Sequence, residues 1–252
     1  MASLSELANY TDELLNIAQY QDYCPNGLQV EGKKTVETLI SGVTASQALL
    51  DAAVQANADA VIVHHGYFWK GEDPRIIGMK KTRLQTLLAS QVSLLAYHLP
   101  LDDHPELGNN AQLAKRLNLV PKGKFGRAPG DQIGVFGNIF QAMTPEQFNR
   151  HLTNVLGREP LHVAGHSAHI DTVAWCTGAA QSYIEQAVTI GVDAFITGEV
   201  SEQTVHIARE TGIHFFAAGH HATERYGVQA LGQHLANQFK LKHKFIDIDN
   251  PV

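Results

Sequence analysis

Short apolar runs alternate with stretches of helical period along the first hundred or so residues, and that alternation organises the reading of the whole chain. Ser3 and Glu6 have capping-box spacing ahead of Leu7, Leu14, Leu15 and Ala18. This predicts an opening amphipathic helix, closed by turn chemistry at Pro25, Asn26 and Gly27. Residues 38–43 then read as a strand, 46–55 as a helix and 58–63 as a buried strand. A helix over 80–89, a strand over 92–97 and a helix starting near Asn110 continue the series. Strand, helix, strand in this order is the signature of parallel βαβ units.

Gly and Pro thicken between Pro121 and Gly137. Residues 121–170 read as a boundary or insertion with small elements of its own, including a helix after Thr144-Pro145, before the strand pattern resumes at 172–177. The expected class is α/β, with two related halves of parallel βαβ type and a small middle segment. Residues 1–122 form the first half, and 123–252 hold the middle segment and the second half, with the C-terminal helix and strand able to pack on the first.

The second half repeats the first. Ile40 to Thr44, Gln47, Asp51, Ala53, Val54 and Ala58 to Ile62 run beside Val173 to Thr177, Gln181, Glu185, Ala187, Val188 and Val192 to Ile196, with one residue inserted near Ala180. Leu94 to His98 answers Phe216 to His220, and each of these histidines stands four residues before a carboxylate, Asp102 and Glu224. Two related halves of this kind should collect functional residues at the carboxyl ends of their strands.

Composition narrows the chemistry. With 252 residues and 44% apolar content the chain can build a proper core without staples. Two cysteines, Cys24 and Cys176, make neither a disulfide framework nor a thiolate metal site. A net charge of −6 argues against a phosphate-binding surface, so nucleic acid is a weak prospect as partner. No apolar run approaches a membrane span, and the N-terminus lacks a signal-peptide pattern, so a cytoplasmic location is expected.

Histidine is the unusual entry, with 14 copies. His64 and His65 directly follow the apolar run Ala60 to Val63, where an open parallel sheet presents its ligands. Adjacent side chains leaving a strand point in opposite directions, but at a strand end the backbone turns, and two neighbouring metals, one per histidine, suit that geometry better than one metal chelated by both. His98 and Asp102, then His220 and Glu224, bring ligand-type residues to two further strand ends. Histidine and carboxylate without thiolate suit zinc, manganese, iron, cobalt or nickel, without choosing among them. Other clusters read differently. His162, His166 and His169 belong to a surface loop, His221 turns away from His220, and Lys80, Lys81 and Arg83 form a solvated helix face or a phosphate grip. No Gly-x4-Gly-Lys-Ser/Thr loop occurs.

Four motifs carry a resemblance: Pro25-Asn26-Gly27-Leu28-Gln29-Val30-Glu31-Gly32, Val63-His64-His65-Gly66, His98-Leu99-Pro100-Leu101-Asp102 and Gly219-His220-His221-Ala222-Thr223-Glu224. Together they resemble the GTP cyclohydrolase 1 type 2 homologues, or NIF-three-like proteins, over essentially the whole chain. The resemblance implies two divalent metal ions per chain: His65 and Asp102 on one, His64 and His220 on the other, Glu224 bridging. It leaves out His98, whose match to His220 in the repeat makes it a candidate direct ligand or else a group supporting the metals or facing a substrate. Glu199, standing where the repeat places His65, is a similar candidate, its alternative a solvated carboxylate capping the helix after Gly198. The resemblance also implies a toroidal homohexamer. Two reaction classes follow. One is a metal-dependent hydrolase acting through a metal-bridging hydroxide on a small molecule such as a nucleotide or related ring compound. The other is a non-catalytic metal-binding hexamer that stores or delivers metal or serves as a scaffold. Opening the guanine ring of GTP would need a triphosphate clamp and a proton donor, and the sequence declares neither.

Overall fold

Strand and helix alternate much as the hydrophobic pattern predicts. The computed structural model describes residues 1–126 and 132–252, so 127–131, part of the Gly- and Pro-rich stretch, lie outside it. The first elements are β1 (Ala2–Ser3), α1 (Leu4–Leu14), β2 (Gly27–Val30), β3 (Thr35–Val36), β4 (Thr38–Thr44), α2 (Gln47–Gln55), β5 (Ala60–His65), α3 (Gly78–Ser90), β6 (Ser93–Ala96) and α4 (Leu99–Asp103). Next come α5 (Asn109–Leu117), β7 (Leu119–Phe125), β8 (Gly134–Met143), α6 (Pro145–Leu156), β9 (Leu161–Val163), β10 (Ile170–Trp175), α7 (Ile184–Ile190), β11 (Ala194–Thr197), α8 (Glu202–Thr211) and β12 (His214–Ala217). A long helix, α9 (His220–Phe239), leads to β13 (Lys242–Phe245). No helix among the described residues is long and apolar enough to cross a membrane.

The chain divides into two compact units, Met1–Gly108 with Arg225–Asp249 and Asn109–Glu224 with Asn250–Val252, and the division falls within α9. In the first unit β13, β4, β5 and β6 are parallel neighbours and β2 closes the edge antiparallel to β6. Side chains alternate between two cores. Leu39, Ile62 and Leu95 pack with Leu7, Val228 and Leu231, while Ile40, Val61 and Leu94 pack with Leu49, Leu50 and Leu84. Burial on both faces explains why β5 reads as an unbroken apolar run. Each fully buried Leu or Ile contributes roughly 1.5–3 kcal/mol.

In the second unit β10, β11 and β12 are parallel, flanked by antiparallel β8 and β7 on one side and β9 on the other. The 121–170 stretch, expected to be a boundary or insertion, thus supplies strands to this sheet. Its helix α6 begins with a full capping box between Thr144 and Gln147 behind Pro145. Phe195, Phe215 and Ala174 pack against Ile184, Ala187 and Ala208 from the helices.

The repeat is visible in matching hydrogen bonds. The Asp59 carboxylate accepts from Glu37 and Thr38 N–H, both at 3.0 Å, and that of Asp193 accepts from Asp171 and Thr172 N–H at 3.0 and 2.8 Å. The ladders correct the expected alignment. Ala60 pairs with Leu39 and Ala194 with Val173, so Leu39, not Ile40, answers Val173, and no inserted residue is needed. Ser93 pairs with Ala60 and His214 with Ala194, so His98 answers Gly219 rather than His220. Strands buried on both faces carry no alternation that would fix their phase in the sequence.

Candidate metal centre

In the first unit the carboxyl ends of β5 and β6 gather three histidines. β5 runs through His65, and the His64 and His65 ring centroids are 4.6 Å apart. Each ring is held by a neighbour. His64 Nδ1 lies 2.9 Å from the Tyr97 carbonyl at the end of β6, which fixes the proton on Nδ1 and turns Nε2 toward Asp102, 3.5 Å away. His65 stands opposite Thr44 in the β4–β5 ladder, and its Nδ1 is 3.0 Å from the Thr44 hydroxyl. His98 supplies the third ring, with its centroid 5.0 Å from that of His64. One nitrogen from each of His64, His65 and His98 lies within 4.8 Å of the others, a grouping able to hold a metal ion.

The supporting residues come from the loop before β2 and from β2 itself, whose Pro25–Gly32 stretch the sequence marks as a turn and as part of the family resemblance but gives no role at the site. Asp22 Oδ1 lies 2.7 Å from His98 Nδ1, and Oδ2 accepts from Leu99 N–H and the Asn26 amide, both at 2.9 Å. His98 pulls the Asp22 carboxyl below its ordinary range, although burial acts the other way. Asn26 Oδ1 in turn accepts from His98 N–H at 2.7 Å. Gln29 clamps the turn after β5 by accepting from Tyr67 N–H and donating to the Tyr67 carbonyl. Part of the Pro25–Gly32 motif is therefore a brace for the histidine-bearing turns.

In the second unit His220 and Glu224 are one turn apart at the start of α9, with His220 Nε2 3.0 Å from Glu224 Oε2. Glu224 is only 3% exposed, although it is a carboxylate. Glu199 Oε1 lies 2.7 Å from His220 Nδ1. Burial pulls the His220 imidazole down, but the Glu224 and Glu199 hydrogen bonds and charges outweigh it and push its pKa up to about 9. Gly178, at φ +70°, makes room for this arrangement, because a Cβ there would strike the Glu224 carboxylate.

The remaining candidates fall elsewhere. His162, placed in a loop by its sequence, lies on β9, stacked on Phe216 at 4.3 Å and with its Nε2 3.0 Å from His214 Nδ1. His166 packs against Gly212. None of His162, His166 and His169 joins a metal-capable group among the described residues. Lys80 is engaged with the Asp73 carbonyl, with Glu72 and with the Phe68 ring. Lys81 is exposed.

A buried carboxylate facing an imidazole needs positive charge between them, supplied by a proton or a cation. His64 with Asp102 and His220 with Glu224 both meet that condition, and their nitrogen and oxygen donors match the needs of a first-row divalent ion. The residues fit a metal.

Residues 2–251 match the family model described as Duf34/NIF3 (NGG1p interacting factor 3). The chain belongs to this family. A protein from Pseudomonas aeruginosa named GTP cyclohydrolase 1 type 2 homolog is 60% identical over 99% of each chain. A structural-genomics structure of protein ybgI, described as of unknown function, is 53% identical with a TM-score of 0.96, covering 100% of both chains. TTHA1606 from Thermus thermophilus is 36% identical with a TM-score of 0.90 over 100% of both chains. These likenesses bear out the expected family and its α/β fold.

Proposed function

We propose that this Duf34/NIF3 chain is a metal-dependent hydrolase with two divalent ions. The five residues implied by the resemblance, His64, His65, Asp102, His220 and Glu224, hold the ions, with Glu224 shared by both. The resemblance pairs His65 with Asp102, but the 3.5 Å approach of His64 Nε2 to Asp102 supports His64 and Asp102 on one ion. The observation that carries the reading is the pairing of buried carboxylates with histidines: 3.5 Å for His64 and Asp102, 3.0 Å for His220 and Glu224. The sequence resemblance implies the same residue set. Divalent ions so held supply Lewis acidity to a substrate oxygen and acidify water.

The chain's own residues prepare that chemistry. The Tyr97 carbonyl and the Thr44 hydroxyl orient His64 and His65 before any ion arrives, so little reorganisation is needed on binding. Asp22 and Asn26 hold His98 beside them, where it can contact a substrate or hold a proton at Nε2. The substrate class is a small molecule with a hydrolysable carbon or phosphorus centre, such as a nucleotide or related ring compound, and the resemblance suggests assembly as a toroidal homohexamer. The test is a hydrolysis screen of metal-loaded protein against nucleotides, damaged nucleotides and cyclic amides, with Glu224→Ala as control. Turnover that disappears with the metal and in the variant supports the hydrolase. Two bound ions without turnover on any substrate favour a metal store or scaffold.

A further inference from the structure

Position 199 is where the two halves of the repeat part company. Glu199 stands two residues beyond the end of β11, and by the ladder register it answers His65. One half thus carries a proposed ligand there and the other a carboxylate. Backbone contacts set its place. Gly198 N–H donates to the Gly178 carbonyl at 2.8 Å, and Gly219 N–H donates to the Gly198 carbonyl at 2.9 Å. A Cβ on Gly198 would lie 2.6 Å from His220 Cα, so only glycine lets the turn pass this close to the start of α9. The next residue is thereby delivered to the imidazole, and Glu199 Oε1 comes 2.7 Å from His220 Nδ1.

The same nitrogen has a neutral partner in the other two proposed histidine ligands. For His64 it is a backbone carbonyl at 2.9 Å, and for His65 a hydroxyl at 3.0 Å. An anionic acceptor on Nδ1–H fixes the ring and also makes Nε2 a more basic donor. We propose that Glu199 is a positioning residue: its carboxylate orients His220 and strengthens it as a donor, so that the ion held by His220 binds more tightly than its neighbour. This rests on the metal reading above, but it adds a residue outside the ligand set and makes the two ions inequivalent.

The full chain, stripped by chelator and reloaded with Co2+, gives the test. Competition against a chelator of known affinity resolves the two equivalents, and the visible Co2+ spectrum reports the histidine donors. Glu199→Ala is expected to weaken one equivalent by about 10–100-fold and alter part of the spectrum, leaving the other in place. Glu199→Gln, which keeps an acceptor but not the charge, is expected to lose less. The metal-free variants should melt like the metal-free parent protein. If both equivalents persist in Glu199→Ala with unchanged affinity and spectrum, the role of Glu199 is overturned while the metal reading stands. It is also overturned if both ions weaken equally together with a lowered melting temperature of the metal-free chain. A parent protein that takes up no Co2+ overturns the metal reading itself and this inference with it.

Discussion

The two halves share a frame and differ in what they mount on it. Asp59 and Asp193 do the same work, each tying the start of its own strand to two consecutive peptide N–H groups near the start of the neighbouring one. At the strand ends the first half presents His64 and His65, where the second has Gly198 and Glu199. The second half instead takes its histidine from the first turn of α9. Scaffold positions are thus repeated where they serve folding and diverge where they serve chemistry, as expected when function lives in sites grafted on a fold.

That comparison can be broken or sharpened in steps. The largest effect is expected from Glu224, the carboxylate proposed to be shared. Glu224→Ala should impair both ions, by more than the ~10–100-fold that loss of an outer partner costs. His64→Ala should impair mainly one. Metal analysis of the purified variants checks this, and near-normal binding of two equivalents by Glu224→Ala would undo the bridging role. Next is the core of the second sheet. Phe195 is fully buried, and Phe195→Ala should cost about 3–5 kcal/mol in denaturant unfolding.

Gly178→Ala should cost about 1–2 kcal/mol for its left-handed backbone and should displace the Glu224 carboxylate. It should therefore depress metal uptake more than stability, and a melting curve beside a metal titration separates the two.

The paired aspartates come next. Asp59→Asn and Asp193→Asn should each cost about 1–3 kcal/mol, since each carboxylate has a third donor beyond the two peptide N–H groups, Lys33 Nζ at 2.7 Å for Asp59 and the Thr172 hydroxyl at 2.8 Å for Asp193. Burial raises both carboxyls, but the hydrogen bonds outweigh it and hold them below the usual range. Their contribution is present above a pH of about 4 and is lost as pH falls through the lowered folded-state values. His220 behaves oppositely. With its pKa raised to about 9, its contribution to the metal-free protein is complete below a pH of about 6.5 and is lost as pH rises through 9. Melting the chelated protein across that range, with His220→Gln as the flat reference, should show the decline.

Much of this was legible in the sequence, for identifiable reasons. The parallel strands show as apolar runs, and Ser3 shows as a helix cap. The edge strands β2 and β9 did not, being short and partly exposed. The register of the repeat was misjudged by one residue because β6, β11 and β12 are buried throughout. At the site, the histidines and carboxylates declared themselves by type and position. Asp22, Thr44 and the Tyr97 carbonyl did not, since an orienting partner is defined by a tertiary contact and not by a pattern.

The central claim is that buried carboxylate–histidine pairs in each half exist to hold cations. Its most direct test is the metal content of the full chain after stripping, reloading with Co2+ or Zn2+ and gel filtration. Two equivalents per chain, displaced by protons as the histidines charge on acidification, is the result the account predicts. A chain that emerges without metal and with unchanged melting temperature would contradict it.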